Sequence, residues 1–266
     1  MKKFSERYIN NHEVLSLFKI GFEFEFFTDK LSYYKLLEQM NQEFEPITIN
    51  GYRKYHSSFT PTDVEWKIEP DLSGGSNMIE LVTGPMGFYE AKIWLVRICK
   101  FISKWGHTTD KSGIHINISF DTDLTEFRLS DVNILKLIMR TDEDAIYSTF
   151  PSRQNNIYAK SVKNLIPFED YDFSNVEISS IQNNIKLPTD KYFGVNLLNM
   201  VSGNTDSDGD RIEYRYIGGK DYENYIGDIS DFMSEFCINI YENITTDFTQ
   251  EDIDSISDFL EGGINS

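Results

Sequence analysis

The chain has 266 residues, 40% of them hydrophobic and 14% aromatic, enough apolar matter for one sizeable core and too much for wholesale disorder. Its formal net charge of −18 argues against a basic face for nucleic acid. No apolar run reaches the length of a membrane span, and the first residues lack the apolar core of a signal peptide, so the expectation is a cytoplasmic protein that binds neither nucleic acid nor membrane.

In chain order, the first element is also the most informative. The run Ile20-Gly21-Phe22-Glu23-Phe24-Glu25-Phe26-Phe27 alternates rings and carboxylates, which predicts a strand over 19–27. Its rings share one face; Glu23 and Glu25 share the other, about 7 Å apart. Two carboxylates that close repel unless a cation intervenes, and a divalent ion is the usual answer. A helix is predicted over 31–43, then a long loop over 46–62, which has no clean period.

Period-two alternation predicts strands over 64–69 and 78–83, with Glu80 facing away from Ile79 and Leu81. Asp71 lies between them, in a Pro-Asp-Leu-Ser-Gly-Gly turn. The clearest helix is 88–105, where Ala91, Trp94, Leu95, Ile98, Ile102 and Trp105 form one stripe and Gly106 stops it. A strand over 113–120 sets Ile114, Ile116, Ile118 and Phe120 against His115, Asn117 and Ser119. A helix over 130–140 follows, with Ser130 or Asp131 as its cap. A second long loop is expected over 150–190.

Strands are predicted over 192–199, with Asn196 opposite Val195 and Leu197, and over 211–217, where Ile212, Tyr214 and Tyr216 oppose Arg211, Glu213 and Arg215. Asp206–Asp210 reads as a hairpin turn rather than a calcium loop. Helices are predicted over 228–245 and 251–261. After Lys220 there are twelve acids and no Lys, Arg or His. Phe232, Met233, Phe236, Ile240, Ile253, Ile256 and Phe259 recur there at helical spacing, so these helices are expected to pack through that stripe with their acids in solvent. A docking surface for a basic protein partner is the sharper alternative. Cys99 and Cys237 read as reduced, buried small hydrophobes.

Each alternation alone fits an antiparallel sheet with one wet face. Taken together, the polar faces hold carboxylates, one His, Asn and Arg, which are hard-cation ligands plus a phosphate-binding cation. A face lined by Glu23, Glu25, Glu80, His115 and Glu213 is repulsive without metal. With two or more Mg²⁺ it becomes a platform for nucleotide phosphates, and Arg211 and Arg215 supply complementary charge. Arg153, near Tyr158 and Lys160 in a polar segment, is either a phosphate or carboxylate binder or an ordinary surface arginine. Trp66 either stacks on a base or joins the core.

These runs occur in a telling order: Gly21-Phe22-Glu23-Phe24-Glu25-Phe26, Trp66-Lys67-Ile68-Glu69-Pro70-Asp71-Leu72-Ser73, Glu80-Leu81-Val82-Thr83-Gly84-Pro85, Ser112-Gly113-Ile114-His115-Ile116-Asn117, Lys191-Tyr192-Phe193-Gly194-Val195-Asn196-Leu197 and Arg211-Ile212-Glu213-Tyr214-Arg215. The series resembles the amidoligase family, within the glutamine-synthetase and glutamate–cysteine-ligase superfamily of carboxylate–amine ligases. The resemblance spans roughly residues 19–225. It implies ATP and Mg²⁺ or Mn²⁺ on the concave face of an antiparallel sheet. It also implies Glu23, Glu25, Glu80, His115 and Glu213 as metal ligands, Glu213 and Arg215 as the late E-x-R pair, and Asp71 in reach of substrate or metal. Asn117 stands where family members commonly carry a second His, and Tyr214 where Phe is usual.

The expected fold is therefore α+β: a curved, mainly antiparallel sheet of glutamine-synthetase-like type with helices on its apolar face. One domain spans 1–266, with 221–266 an acidic helical segment. The expected activity is ATP-dependent ligation of a small-molecule or peptide carboxylate to an amine through an acyl phosphate. Arg215, Glu25 and Asp71 would act catalytically, and Arg211, Arg153, Asn117, Asn196 and Trp66 would line the nucleotide. The alternatives are a guanidino or other phosphotransferase on the same fold, a non-catalytic scaffold, and an acidic DNA mimic.

Overall fold

The computed structural model describes residues 11–54, 57–71, 77–166, 191–201 and 210–244. At its centre lies β1 (Phe18–Phe27), flanked by antiparallel β4 (Met78–Val82) and β6 (Gly113–Phe120). The sheet continues outward through β3 (Glu65–Pro70) to β2 (Thr48–Gly51) on one side. On the other it runs through β8 (Ile212–Gly218) to β7 (Val195–Asn196). The two-residue β5 (Met86–Gly87) pairs with the start of β1. Every pairing is antiparallel except β2 with β3. The architecture is thus mixed α/β, with an open, mostly antiparallel sheet.

Alternation in the sequence becomes burial in the fold. Phe22, Phe24 and Phe26 of β1 meet Ile114, Ile116 and Ile118 of β6 on one face, all at 0% exposure. That face is closed by α3 (Phe88–Trp105), whose buried stripe is Ala91, Trp94, Leu95, Ile98 and Ile102. It is also closed by α7 (Ile226–Glu242), which buries Ile229, Met233, Phe236, Cys237 and Ile240. The Phe236 ring stacks on Tyr214 of β8 at 3.9 Å, with planes 8° apart. The first helix of the acidic tail therefore belongs to the core. The helix predicted over 251–261 and most of the Asp206–Asp210 turn lie outside the described residues. Cys99 and Cys237 are both free and buried. Among the described residues, no helix is long and apolar enough to cross a membrane.

Several expectations are corrected. The loop read over 46–62 contains β2, a four-residue strand in which only Ile49 is buried, too short to set a period. The strand read over 192–199 shrinks to β7 and turns directly into the short helix α6 (Leu198–Val201). The helix read over 130–140 starts later, as α4 (Ile134–Arg140), and its cap is Asn133, whose side chain accepts from the Lys136 N–H. Ser130 and Asp131 instead belong to a preceding 3₁₀ turn, Leu129–Asp131. The unassigned α5 (Glu143–Thr149) follows, capped by Asp142. Before β1 lies α1 (His12–Leu15) and after it α2 (Tyr33–Glu43), which complete the described α-helices.

Candidate functional site

The polar face of the sheet floors a cleft of about 1180 Å³. Strand register builds it row by row. Glu23 of β1 faces His115 of β6, and Glu25 of β1 faces Glu80 of β4, which in turn faces Glu69 of β3. On the far side Glu213 of β8 faces Asn117 of β6 and Asn196 of β7. Glu25, Glu80 and Glu69 thus stand abreast on three neighbouring strands, a placement that is unfavourable for like charges.

His115 is the hub. Its Nδ1 lies 2.8 Å from Glu23 Oε2 and 3.4 Å from Glu213 Oε1, and its Nε2 lies 3.5 Å from Glu25 Oε1. Two sets of ligand atoms, from Glu23–His115–Glu213 and from Glu25–Glu80–His115, each gather within 4.8 Å. Carboxylate oxygens with one imidazole suit a divalent cation, oxygen-rich sites favouring Mg²⁺ and Mn²⁺. All five residues expected as metal ligands are therefore brought together.

The electrostatics agree with that fit. Burial pushes the Glu80 carboxyl well above its ordinary range, and the charges of Glu23, Glu25, Asp71 and Glu69 push it further. Burial also raises Glu25, with Asp71 adding to it and His115, Arg153 and Arg215 offsetting part. For Glu23 burial acts upward too, but His115, Arg215 and Asn117 outweigh it and hold the carboxyl at about 2. Glu25 and Glu80 thus stand where their negative charge is disfavoured, which is the state a cation relieves.

Arginines wall one side. The Nη1 of Arg215 donates to Glu213 Oε1, and its Nε donates to the Tyr158 carbonyl at 3.1 Å. Burial would lower the Arg215 guanidinium, yet Glu213, Glu23 and Glu25 push it up. Asn196 Nδ2 donates to the second Glu213 oxygen at 2.6 Å. Arg153 is only 2% exposed and reaches the Arg215 carbonyl at 2.8 Å; burial draws its guanidinium down to about 10, with Glu25 opposing. The reading of Arg153 as an ordinary surface residue is thus overturned: it lines the cleft, and among the described residues its Nε has no hydrogen-bond partner. Arg211 and Asp71 line the cleft as well.

Trp66 does not. It is fully buried on the apolar face against Trp94, 4.7 Å between ring centroids, and Phe44. Period two decides this: Trp66 and Ile68 share the core side of β3, so its neighbours Lys67 and Glu69 face the cleft. The base-stacking role read for Trp66 is withdrawn.

Lys67 and Glu69 are site residues that the sequence reading passed over. They form a buried pair at 3.1 Å, and Glu69 Oε2 also accepts from the Ser57 N–H and hydroxyl, at 3.1 and 2.7 Å. The alternation that marked Glu23 and Glu80 marks them equally. The pair holds Ser57, and residues 57–61 line the cleft. Gly84 admits the backbone of Thr62, just after that segment, since a Cβ there would stand 1.9 Å from the Thr62 carbonyl oxygen. Glu25 is anchored from behind: Gly113 N–H donates to its Oε2 at 2.7 Å, and the Tyr222 hydroxyl to its backbone carbonyl at 2.9 Å.

Compared by sequence, the chain matches no family model and no curated protein. Among solved structures it is similar to glutamine synthetase of Plasmodium falciparum, at 12% identity and TM-score 0.42, covering 91% of this chain and 54% of that one. It is also similar to a bifunctional glutathione synthetase from Pasteurella multocida, at 15% identity and TM-score 0.39, covering 91% of this chain and 40% of that one. The chain spans about half the length of the first and less of the second.

Proposed function

We propose that the protein is an ATP-dependent carbon–nitrogen ligase that joins a carboxylate to an amine through an acyl phosphate. The observation that carries this reading is the pair of carboxylate–histidine sets sharing His115 on one sheet face, with Arg153, Arg211 and Arg215 beside them in one cleft. The ordered resemblance of the same runs to amidoligases gives the reaction class.

Glu23, His115 and Glu213 would hold one divalent ion, and Glu25 and Glu80 a second. Mg²⁺ or Mn²⁺ bound there supplies charge neutralisation for the phosphates of ATP. Arg215, already fixed by Glu213 and the Tyr158 carbonyl, would stabilise the transferring phosphoryl group, with Arg153 and Arg211 taking further phosphate oxygens. The substrate carboxylate attacks the γ-phosphorus and ADP departs. The amine then attacks the acyl carbon and inorganic phosphate departs. Asp71, which lines the cleft outside the two ligand sets, would take the proton that the amine loses.

The test is to incubate the chain with ATP and Mg²⁺ against pooled carboxylates, amines and amino acids. ADP and phosphate released in step with an amide product support ligation. ADP released with a phosphorylated acceptor and no free phosphate would make it a phosphotransferase. No ATP- or metal-dependent thermal stabilisation would make it a scaffold.

A further inference from the structure

We propose that Asn117 is a positioning residue rather than a ligand. In this inference, which rests on the metal-site reading above, Arg211 and Asn117 form a relay that presents Glu23 to the ion. The amide of Asn117 is committed at both ends: its Oδ1 accepts from Arg211 Nε at 3.0 Å, and its Nδ2 donates to Glu23 Oε1 at 3.2 Å. An amide that turns its N–H toward a carboxylate turns its oxygen away from an ion held by that carboxylate.

The two oxygens of Glu23 are therefore divided. Oε1 is taken by Asn117, while Oε2 is the atom 2.8 Å from His115 Nδ1, on the side where Glu213 Oε1 also approaches that nitrogen. A glutamate on a strand is otherwise free to rotate about its outer torsions, and a bond to one oxygen fixes where the other points. Arg211 does the same for Asn117: its Nε–H accepts nothing and can only donate, so it selects the amide orientation that aims the N–H at Glu23. The chain Arg211, Asn117, Glu23 is thus a serial outer shell running from the residue just before β8 to β6 and β1. Outer-shell partners of this kind change metal affinity by about 10–100-fold when removed.

The experiment is Mn²⁺ binding to the full chain by calorimetry with no nucleotide present, so that turnover plays no part. Asn117→Leu keeps the size and loses both hydrogen bonds; it should weaken Mn²⁺ binding about 10–100-fold. Asn117→Ser serves the same purpose if leucine impairs folding. Asn117→His restores a ring N–H donor and should stay within about threefold of wild type. Arg211→Met should weaken binding, and adding it to Asn117→Leu should cost nothing more, because links in series do not add. Asn117→Leu within about twofold of wild type, or losses that multiply in the double variant, would overturn the relay. Glu23→Gln separates the two readings. If wild type binds Mn²⁺ and Glu23→Gln does not, an unaffected Asn117→Leu sinks the relay alone; if wild type does not bind, both readings fall.

Discussion

On one side of β1, Phe18, Ile20, Phe22, Phe24 and Phe26 are all fully buried, and what holds them is area removed from water, about 1.5–3 kcal/mol for each large side chain. On the other side of the same strand, Glu23 and Glu25 sit among carboxylates and are held by named atoms: His115 Nδ1 and Asn117 Nδ2 for one, Gly113 N–H for the other. The first face tolerates any residue of the right shape and gains stability from it. The second depends on orientation: Glu23 is favoured as a charge by its partners, whereas Glu25 is disfavoured as one in the metal-free chain. One strand therefore carries the fold on its rings and the chemistry on its acids, and substitutions on the two faces should part company.

The largest effect should come from removing the cover of the apolar face. Truncation after Lys220 deletes α7 and exposes Tyr214 and its neighbours, so the shortened chain should aggregate on expression; a soluble fragment with native near-UV circular dichroism would show the helix to be dispensable. Phe24→Ala should cost about 3–5 kcal/mol in urea unfolding, and saturating Mg²⁺ should not narrow the gap between variant and wild type.

The polar face should split by partner. Glu213→Ala strands the buried Arg215 guanidinium and the Asn196 amide, and should cost about 3–5 kcal/mol without metal. Glu80→Gln removes a charge that its surroundings oppose. It should raise metal-free stability by about 0.5–2 kcal/mol while abolishing the stabilisation that metal confers on wild type. Equal losses for both variants would make Glu80 a structural carboxylate and dissolve the contrast between the faces.

The smallest effect is with pH. Glu25 and Glu80 bind protons more readily folded than unfolded, since their folded values lie above the ordinary 4.5. Their contribution to metal-free stability therefore rises as pH falls toward 4.5 and saturates below it. Glu23 has the opposite sign: held at about 2, it withdraws stability between 4.5 and 2. Thermal scans of metal-free wild type should show this rise on the acid side of neutrality; it should be flattened in metal-free Glu80→Gln, and also in wild type scanned with saturating Mn²⁺.

How much of this was legible beforehand follows from the range of each signal. Period-two patterns placed β1, β4, β6 and β8 and sorted Glu23, Glu25, Glu80, His115 and Glu213 onto one face. The same pattern covered Lys67 and Glu69 and should have put Trp66 in the core. Arg153 carried no pattern: it sits in a 3₁₀ turn, Pro151–Arg153, and only the fold of 150–166 against β8 buries it beside Glu25. β2 is too short for periodicity, and its parallel pairing with β3 joins segments the chain separates by a loop.

The sequence by itself determined which side chains share a strand face, because alternation is a local property of the backbone. It also determined that this face needs positive charge, because like carboxylates repel wherever they are gathered. Tertiary structure alone decided which atom meets which: that His115 offers one nitrogen to Glu23 and Glu213 and the other to Glu25, that Glu213 pairs with Arg215 and Asn196, and that Asn117 turns its N–H toward Glu23. Those choices depend on strand order and register, which are set by contacts between residues far apart in the chain.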